Sequence, residues 1–350
     1  MRVNFRAISA LQRRARGVAN RFAIRAVVLL YHRVNELTSD PQLLCVSPKH
    51  FSEHLEVIQK HCRPLALRRL SDTLASGSRR RCSAVITFDD GYADNLHEAK
   101  PLLEAFNFPA TVFIATGHID SPSGFWKDIL ERVFLQPGRL PETLRLNIAG
   151  TGYQWELHEA AEYSREAFGR YSGWNITSET DPTMRQHLYR HLCRLLRPLS
   201  EVERSSVLQK LAAWADMDLT KSSVHRALSA DEVVQLANGG TIEVGAHSIS
   251  HPVLSALPAA EQREEIRGSK SRLEKILGQS VTSFAYPYGG RSYYTSDTAL
   301  AVREAGFELA CSNFEGMVRR GVDMWQLPRL LVRNWNGEEF ERRLRGWLCC

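Results

Sequence analysis

Two aspartates stand side by side at Asp89 and Asp90, directly after the apolar, β-branched run Ala84–Phe88. A short bounded run of this kind reads as a buried parallel strand, and Gly91 lets the backbone turn sharply behind it. Folds of the α/β type place their chemistry at the C-terminal ends of strands. Adjacent side chains on extended backbone point to different sides. One carboxylate can therefore meet a cation while the other stays free to take a proton. Turn and helix-cap duty is the plainer alternative for both. The second candidate group is His247 and His251, which flank a short segment after the strand-like Thr241–Val244. Gly245 and Pro252 argue against a simple helix through the pair. Two neutral imidazoles and one carboxylate make a three-ligand site with an open position for water, a donor set that suits zinc. A metal so held polarises a carbonyl and lowers the pKa of its bound water, and a second carboxylate nearby can take the water's proton. Alone, the histidines read equally as loop residues with ordinary hydrogen bonds; with two acids at an earlier strand end, the metal reading is the stronger.

The elements that must position these groups alternate. Strands are expected at Ala26–Leu30, Ala84–Phe88, Ala110–Ala115, Thr241–Val244, Ser283–Tyr286, Phe307–Cys311 and Leu327–Val332, with helices between most of them. Such alternation implies a parallel sheet, open or closed into a barrel. Ser47 and Pro48 suit a helix start, and Ser229 with Glu232 forms a capping-box pattern. The alternation breaks between residues 125 and 228, which are expected as an insertion: a helix near 125–135, a hairpin turning at Gly150–Gly152, then further helices. His187 and His191 lie there at helical i,i+4 spacing without the intervening Glu of H-E-x-x-H, so a satisfied or exposed helical pair is expected.

The stretches TFDDGY (87–92), HSISHP (247–252) and FAYPYG (284–289) resemble the successive motifs of the polysaccharide deacetylases, carbohydrate esterase family four, also called the NodB homology domain. The resemblance covers the regular parts of about residues 26–335 outside the insertion, within a barrel domain expected at 26–345. It implies an α/β fold, an irregular (β/α)7 barrel with an inserted hairpin-plus-helices segment. It also implies metal-assisted removal of acetyl groups from N-acetylated sugars in a glycan or glycan precursor. By the resemblance, Asp90, His247 and His251 bind a divalent metal, most simply Zn2+, and Asp89 is the general base. The backbone N–H of Tyr288 helps hold the oxyanion. Two departures stand out. Phe284 occupies the place where many members carry an arginine that orients the base, and Arg329 is a candidate substitute from a later strand. The usual late L-x-H motif for the general acid is also missing, since no histidine follows His251. Leu30–Tyr31–His32 fits that motif and resembles members whose barrel is circularly permuted, which makes His32 the expected acid. Hydrolysis of a non-sugar amide or an O-acetyl ester, or silent glycan binding, are the rival functions.

Composition bounds the rest. The net charge is +6 over 350 residues, and much of the excess lies in residues 1–25. These form an expected basic arm, either an amphipathic helix on an anionic membrane surface or a solvated tail. Nucleic acid is not expected as a partner, because no recognition motif accompanies the charge. Seven scattered cysteines, paired only at Cys349–Cys350, do not make a disulfide framework. A cytoplasmic protein, peripheral at the inner membrane face, is the expected location.

Overall fold

A computed structural model of the chain describes residues 25–76, 82–121, 124–221 and 224–349. The basic arm at 1–24 lies outside them. In chain order the elements that matter here are β1 (Arg25–Tyr31), α1 (Pro48–His61), β2 (Ser83–Phe88), α2 (Lys100–Ala105), β3 (Ala110–Ile114), α3 (Trp126–Phe134), β4 (Thr143–Ile148), β5 (Thr151–Glu156), α4 (Met184–Leu196), α5 (Glu201–Trp214), α6 (Ala230–Ala237), β6 (Ile242–Ala246), α7 (Ala259–Leu277), β7 (Ser283–Ala285), α8 (Ser296–Glu304), β8 (Leu309–Cys311), β9 (Leu330–Leu331) and α9 (Gly337–Cys349).

Among the described residues one sheet carries parallel strands in the order β9-β1-β2-β3-β6-β7-β8, with the short Arg63–Pro64 also parallel on β2 and Val318–Arg319 antiparallel on β1. The ring is drawn together by a parallel bridge between Cys311, in β8, and Leu327, three residues before β9. The result is a curled, parallel-rich half-barrel of α/β type; the strand–helix alternation implies a parallel sheet, open or closed, and the family resemblance implies the barrel. Period-two alternation sorts each strand into an inner and an outer set. Val27, Leu29 and Tyr31 of β1 join the core under the surrounding helices, while Ala26 and Val28 join a smaller core with Val85, Phe113, Ala285, Leu309 and Cys311. Phe113 fills that interior only because Gly245 faces it: a Cβ there would sit 2.4 Å from the ring.

Helix starts follow local chemistry. Ser47 accepts from the His50 N–H ahead of Pro48, and Ser229 and Glu232 close a full capping box on α6. The stretch after β3 builds its own core. Residues from α3, β4, α4 and α5, including Leu130, Phe134, Leu144, Leu188, Leu192 and Leu211, pack together apart from the barrel cores. On α4, Leu188, Leu192 and Leu196 recur at i,i+4 and bury one stripe. Burial of each contributes on the order of 2 kcal/mol. The hairpin is β4 paired antiparallel with β5; His191 sits beside its Tyr153 and Trp155, and His187 lies against the His191 ring. No helix among the described residues is long and apolar enough to cross a membrane.

Candidate active site

The barrel brings every one of the expected site residues to one rim. Asp89 and Asp90 follow β2, His247 and His251 follow β6, Tyr288 follows β7, His32 follows β1 and Arg329 precedes β9. His32, Asp89, Asp90, His247, His251 and Tyr288 line a single cleft of about 180 Å³. The two aspartates diverge, as neighbours at a strand end should. Asp90 Oδ1 lies 3.6 Å from His247 Nε2 and 3.3 Å from His251 Nε2. Asp89 is instead gripped by Arg329, with its Oδ2 still 3.8 Å from His247 Nε2.

The first of these groups fits a metal ion. Its three donor atoms all lie within 4.8 Å of one another. Tetrahedral zinc with bonds of about 2.0–2.1 Å separates its donors by about 3.3 Å, close to the observed spacings. His247 Nδ1 donates to the Ala285 carbonyl at 2.7 Å. A carbonyl can only accept, so the proton is on Nδ1 and the Nε2 lone pair faces the site. Burial pushes both imidazoles below their ordinary range, His251 furthest, which keeps them in the neutral, ligating form. With neutral rings these contacts are not ion pairs. Burial, with the nearby charge of Asp89, pushes the Asp90 carboxyl up to about 7. A carboxylate so poorly solvated is relieved by a cation between it and the rings.

The second group is an ion pair. Arg329 donates from both terminal nitrogens to Asp89, to Oδ1 and Oδ2 at 2.7 Å each, and from Nε to the Ser312 carbonyl at 2.7 Å. Its guanidinium is 1 % exposed and lies over the Phe113 ring inside the barrel. Burial alone would raise the Asp89 carboxyl; Arg329, helped by His247, reverses this and holds it below the usual carboxylate range. Phe284 takes no part: it packs on Tyr286 and Phe307 on the helix side of β7. Arg329 thus grips Asp89 from the residue just before β9, some 240 positions along the chain.

His32 comes to the rim by register. Tyr31 pairs with Phe88 across β1 and β2, which sets His32 beside Asp89. Burial pushes its imidazole down to about 3, against the opposing pull of Asp89. His118, the other strand-end histidine, packs its ring on Phe125 at 4.1 Å and does not line the cleft. The Tyr288 N–H has no acceptor among the described residues, as a donor reserved for a ligand would not.

Several features at the rim carry no signal in residue type. Asp90, Ser248, His251 and Tyr288 all have positive φ, at 77°, 64°, 54° and 61°. Each such residue costs on the order of 1–3 kcal/mol, and such strain collects at functional sites. Glu265 on α7 accepts from the Ile249 and Ser250 N–H groups and the Ser250 hydroxyl, pinning the loop between the histidines. Lys127, Arg197 and Arg333 also line the cleft. A second buried cluster, Asp128, Glu131 and His225, has metal-like spacing. There Arg33 donates to His225 Nδ1, so the ring proton is on Nε2, and Nε2 is the atom that faces Glu131. A protonated nitrogen cannot ligate, and Asp128 already accepts from Phe125 N–H and the Tyr92 hydroxyl. This cluster reads as a charge and hydrogen-bond network.

His251→Ala should therefore lower metal content. Loss of a direct ligand should cost more than the roughly ten- to hundredfold in affinity that loss of an outer partner costs. Metal analysis after dialysis checks it; unchanged stoichiometry would remove His251 from the ligand set.

Comparison with known proteins fits this geometry. The polysaccharide deacetylase family model matches residues 76–187 and 205–310. That is more than half of the chain. It includes Asp89, Asp90, His247, His251 and Tyr288 and runs through part of 125–228, while His32 and Arg329 lie outside it. YxkH of Bacillus subtilis (strain 168), assigned to the polysaccharide deacetylases in its name, is 27% identical over 128 residues, 36% of this chain and 44% of YxkH. The chain thus spans less than half the length of that curated relative. Among solved structures, the deacetylase PplD of Streptococcus pyogenes, in complex with acetate, superposes with a TM-score of 0.56 at 15% identity, covering 91% of this chain and 98% of PplD. IcaB from Ammonifex degensii superposes with a TM-score of 0.56 at 18% identity, covering 93% of this chain and 98% of IcaB. At such identities the likeness is one of fold, and it is the barrel of the NodB type. With the family model matched across the barrel and its rim, the chain belongs to the polysaccharide deacetylase family.

Proposed function

We propose that the protein is a metal-dependent deacetylase that hydrolyses the N-acetyl group of an N-acetylated sugar, in a glycan or a glycan precursor, and releases acetate. The observation that supports this most is the pairing of two differently used acids in one cleft. Asp90 faces two neutral imidazoles, while Asp89 is clamped by Arg329 with no ligand role of its own. A binding protein has no use for the second acid.

A divalent ion held by Asp90, His247 and His251, zinc by the donor set, would polarise the acetyl carbonyl and acidify a bound water. Asp89 is the base that accepts the attacking water's proton as the oxygen bonds to the carbonyl carbon. Arg329 fixes the rotamer of that base, since a carboxylate gripped at both oxygens cannot rotate away. The Tyr288 N–H donates to the oxygen on which negative charge develops, the duty fixed backbone donors perform best. His32 gives a proton to the sugar nitrogen as the C–N bond breaks. The products are acetate and a free amino sugar. On the charge of residues 1–25, the reading extends to a cytoplasmic protein held at the inner membrane face, with a polymeric or lipid-linked N-acetylated substrate.

Acetate release from N-acetylglucosamine oligomers, followed as metal is removed by chelation and restored, tests the reading. Activity should vanish on chelation and return with zinc. Release only from O-acetyl esters would move the protein to the esterase alternative. No release from any acetylated sugar, with binding retained, would make it a silent glycan-binding protein.

A further inference from the structure

We infer that the substrate carries an anionic group next to the acetylated sugar, a phosphate ester or a uronate carboxylate, and that Lys127, Arg197 and Arg333 receive it. This rests on the deacetylase reading of the cleft. The argument begins with charge. Of the acids in the cleft, Asp89 is already neutralised by Arg329, and Asp90 faces the prospective metal. The charge left over belongs to Lys127, Arg197 and Arg333, which line the same cleft. None of the three has a carboxylate within 4 Å among the described residues. Buried or half-buried cations without counter-ions are costly to hold. Burial lowers both the Lys127 ammonium and the Arg333 guanidinium from their ordinary ranges. Arg197 Nε is buried with no hydrogen-bond partner among the described residues.

The three cations are also placed to be reached together with the acetyl group. The Tyr288 ring lies 4.8 Å from the His251 ring. On its other sides stand Lys127 Nζ, 5.1 Å from the ring centroid, and Arg197 Cζ, at 5.5 Å. A terminal nitrogen of Arg197 donates to the Tyr293 hydroxyl at 3.3 Å, which fixes the guanidinium toward the cleft. Arg333 donates to the Gln42 and Leu43 carbonyls across the mouth, and its charge and that of Lys127 are both felt at His32. A sugar whose acetyl group reaches the metal ligands and whose nitrogen reaches His32 has its neighbouring substituent among these cations. Arginine and lysine in a partly dry cleft select phosphate or carboxylate. A neutral sugar would leave them without a counter-ion.

The competing role is structural: Lys127 and Arg197 hold the Tyr288 ring by cation–π contact. The two roles differ in one observable, the preference for charged over neutral substrate. The full chain, loaded with zinc, is assayed for acetate release from N-acetylglucosamine 1-phosphate, from an N-acetylglucosamine–glucuronate disaccharide and from neutral diacetylchitobiose. At least one anionic substrate should have the higher kcat/KM, and whichever it is identifies the source of the charge. In Arg197→Gln and in Lys127→Gln the anionic-to-neutral ratio should fall about ten- to a hundredfold, as loss of a hydrogen bond to a charged group implies. A wild-type ratio near one, or a ratio unmoved by both substitutions, would overturn the inference while leaving the deacetylase reading intact. If no substrate is hydrolysed, the deacetylase reading fails, and binding alone decides. Glucose 1-phosphate and methyl glucoside are then titrated calorimetrically into chelator-stripped protein, where phosphate cannot owe its affinity to the metal. Preference for glucose 1-phosphate, lost in Arg197→Gln, supports the anion site. Equal affinity, or no binding of either, overturns it.

Discussion

Asp89→Asn is expected to cut acetate release by about a hundred- to ten-thousandfold, the usual cost of losing a general base, while metal content stays near that of the parent protein. The two halves follow from the divergence of the aspartates. Asp90 supplies the carboxylate that faces His247 and His251, and Asp89 points to Arg329. Removing the Asp89 charge has a second consequence. Arg329 is buried and keeps only the Ser312 carbonyl, the Thr87 hydroxyl and the new amide oxygen as partners. Breaking one side of a buried ion pair costs about 3–5 kcal/mol, so the variant should also melt earlier. Stability and chemistry are separated by a double variant. Asp89→Asn with Arg329→Met removes both charges, and replacing a buried pair by apolar groups is often neutral for stability. The double variant should recover much of the lost stability and none of the lost turnover. Recovery of turnover would mean that Asp89 acts only through the fold.

How much of this could be read from the chain depended on whether a residue's role shows in its neighbours along the sequence. Asp89, Asp90, His247 and His251 were legible because each follows a short apolar run, and parallel strands carry such ends to a common rim. Tyr288 was legible only through the resemblance of FAYPYG to the family's third motif. Arg329 was legible only as a cation near a late strand. What makes it specific, two 2.7 Å bonds to an acid about 240 positions earlier, is a property of barrel closure. The last strands were expected at Phe307–Cys311 and Leu327–Val332, and the ladder is shorter, Leu309–Cys311 and Leu330–Leu331. Of the remaining residues of those runs, Leu327 makes the bridge to Cys311 and the others lie outside any ladder.

Other features had no signal to offer. Left-handed backbone at Asp90, Ser248, His251 and Tyr288 is imposed by packing on residues whose types do not advertise it, unlike Gly91. Glu265 sits mid-helix among other charged residues of α7 and looks like a solvated position, yet its carboxylate holds the loop between the histidines. Lys127 and Arg197 fall within the stretch 125–228, where the regular alternation of strand and helix stops. That stretch reaches the cleft through the start of α3 and the residue that ends α4. Periodicity marks Leu188, Leu192 and Leu196 as a buried stripe; it says nothing of where the next residue, Arg197, will point.

His32→Ala is expected to abolish most amide hydrolysis while sparing an activated acetyl ester. The amine of a sugar is a poor leaving group unless it takes a proton as the C–N bond breaks, and the phenolate of an activated ester leaves without one. Loss of a general acid should therefore cost the amide about a hundred- to ten-thousandfold and the ester far less. His32 is the histidine the geometry offers. His247 and His251 face Asp90 in the proposed metal group, His54 bonds the Trp335 carbonyl, His61 bonds Glu341, His97 bonds Glu232 and His225 is held by Arg33. His118 is packed away on Phe125. The obstacle is burial, which pushes His32 down to about 3, so at neutral pH the resting ring is neutral. What opposes burial is Asp89, set beside it by the register of β1 on β2. On the proposed mechanism the proton must then reach His32 during turnover, and Asp89, which there takes one from the attacking water, is the adjacent source. That makes the base and the acid sequential holders of one proton. It also fixes the pH dependence: the amide reaction should not fall away as pH rises through 6.5, where an ordinary histidine acid would be lost. Equal losses on amide and ester in His32→Ala would remove His32 from the proton path and leave Asp89 to serve both steps. A wild-type amide rate that titrates away near pH 6.5 would show instead that His32 stores its own proton before the substrate arrives.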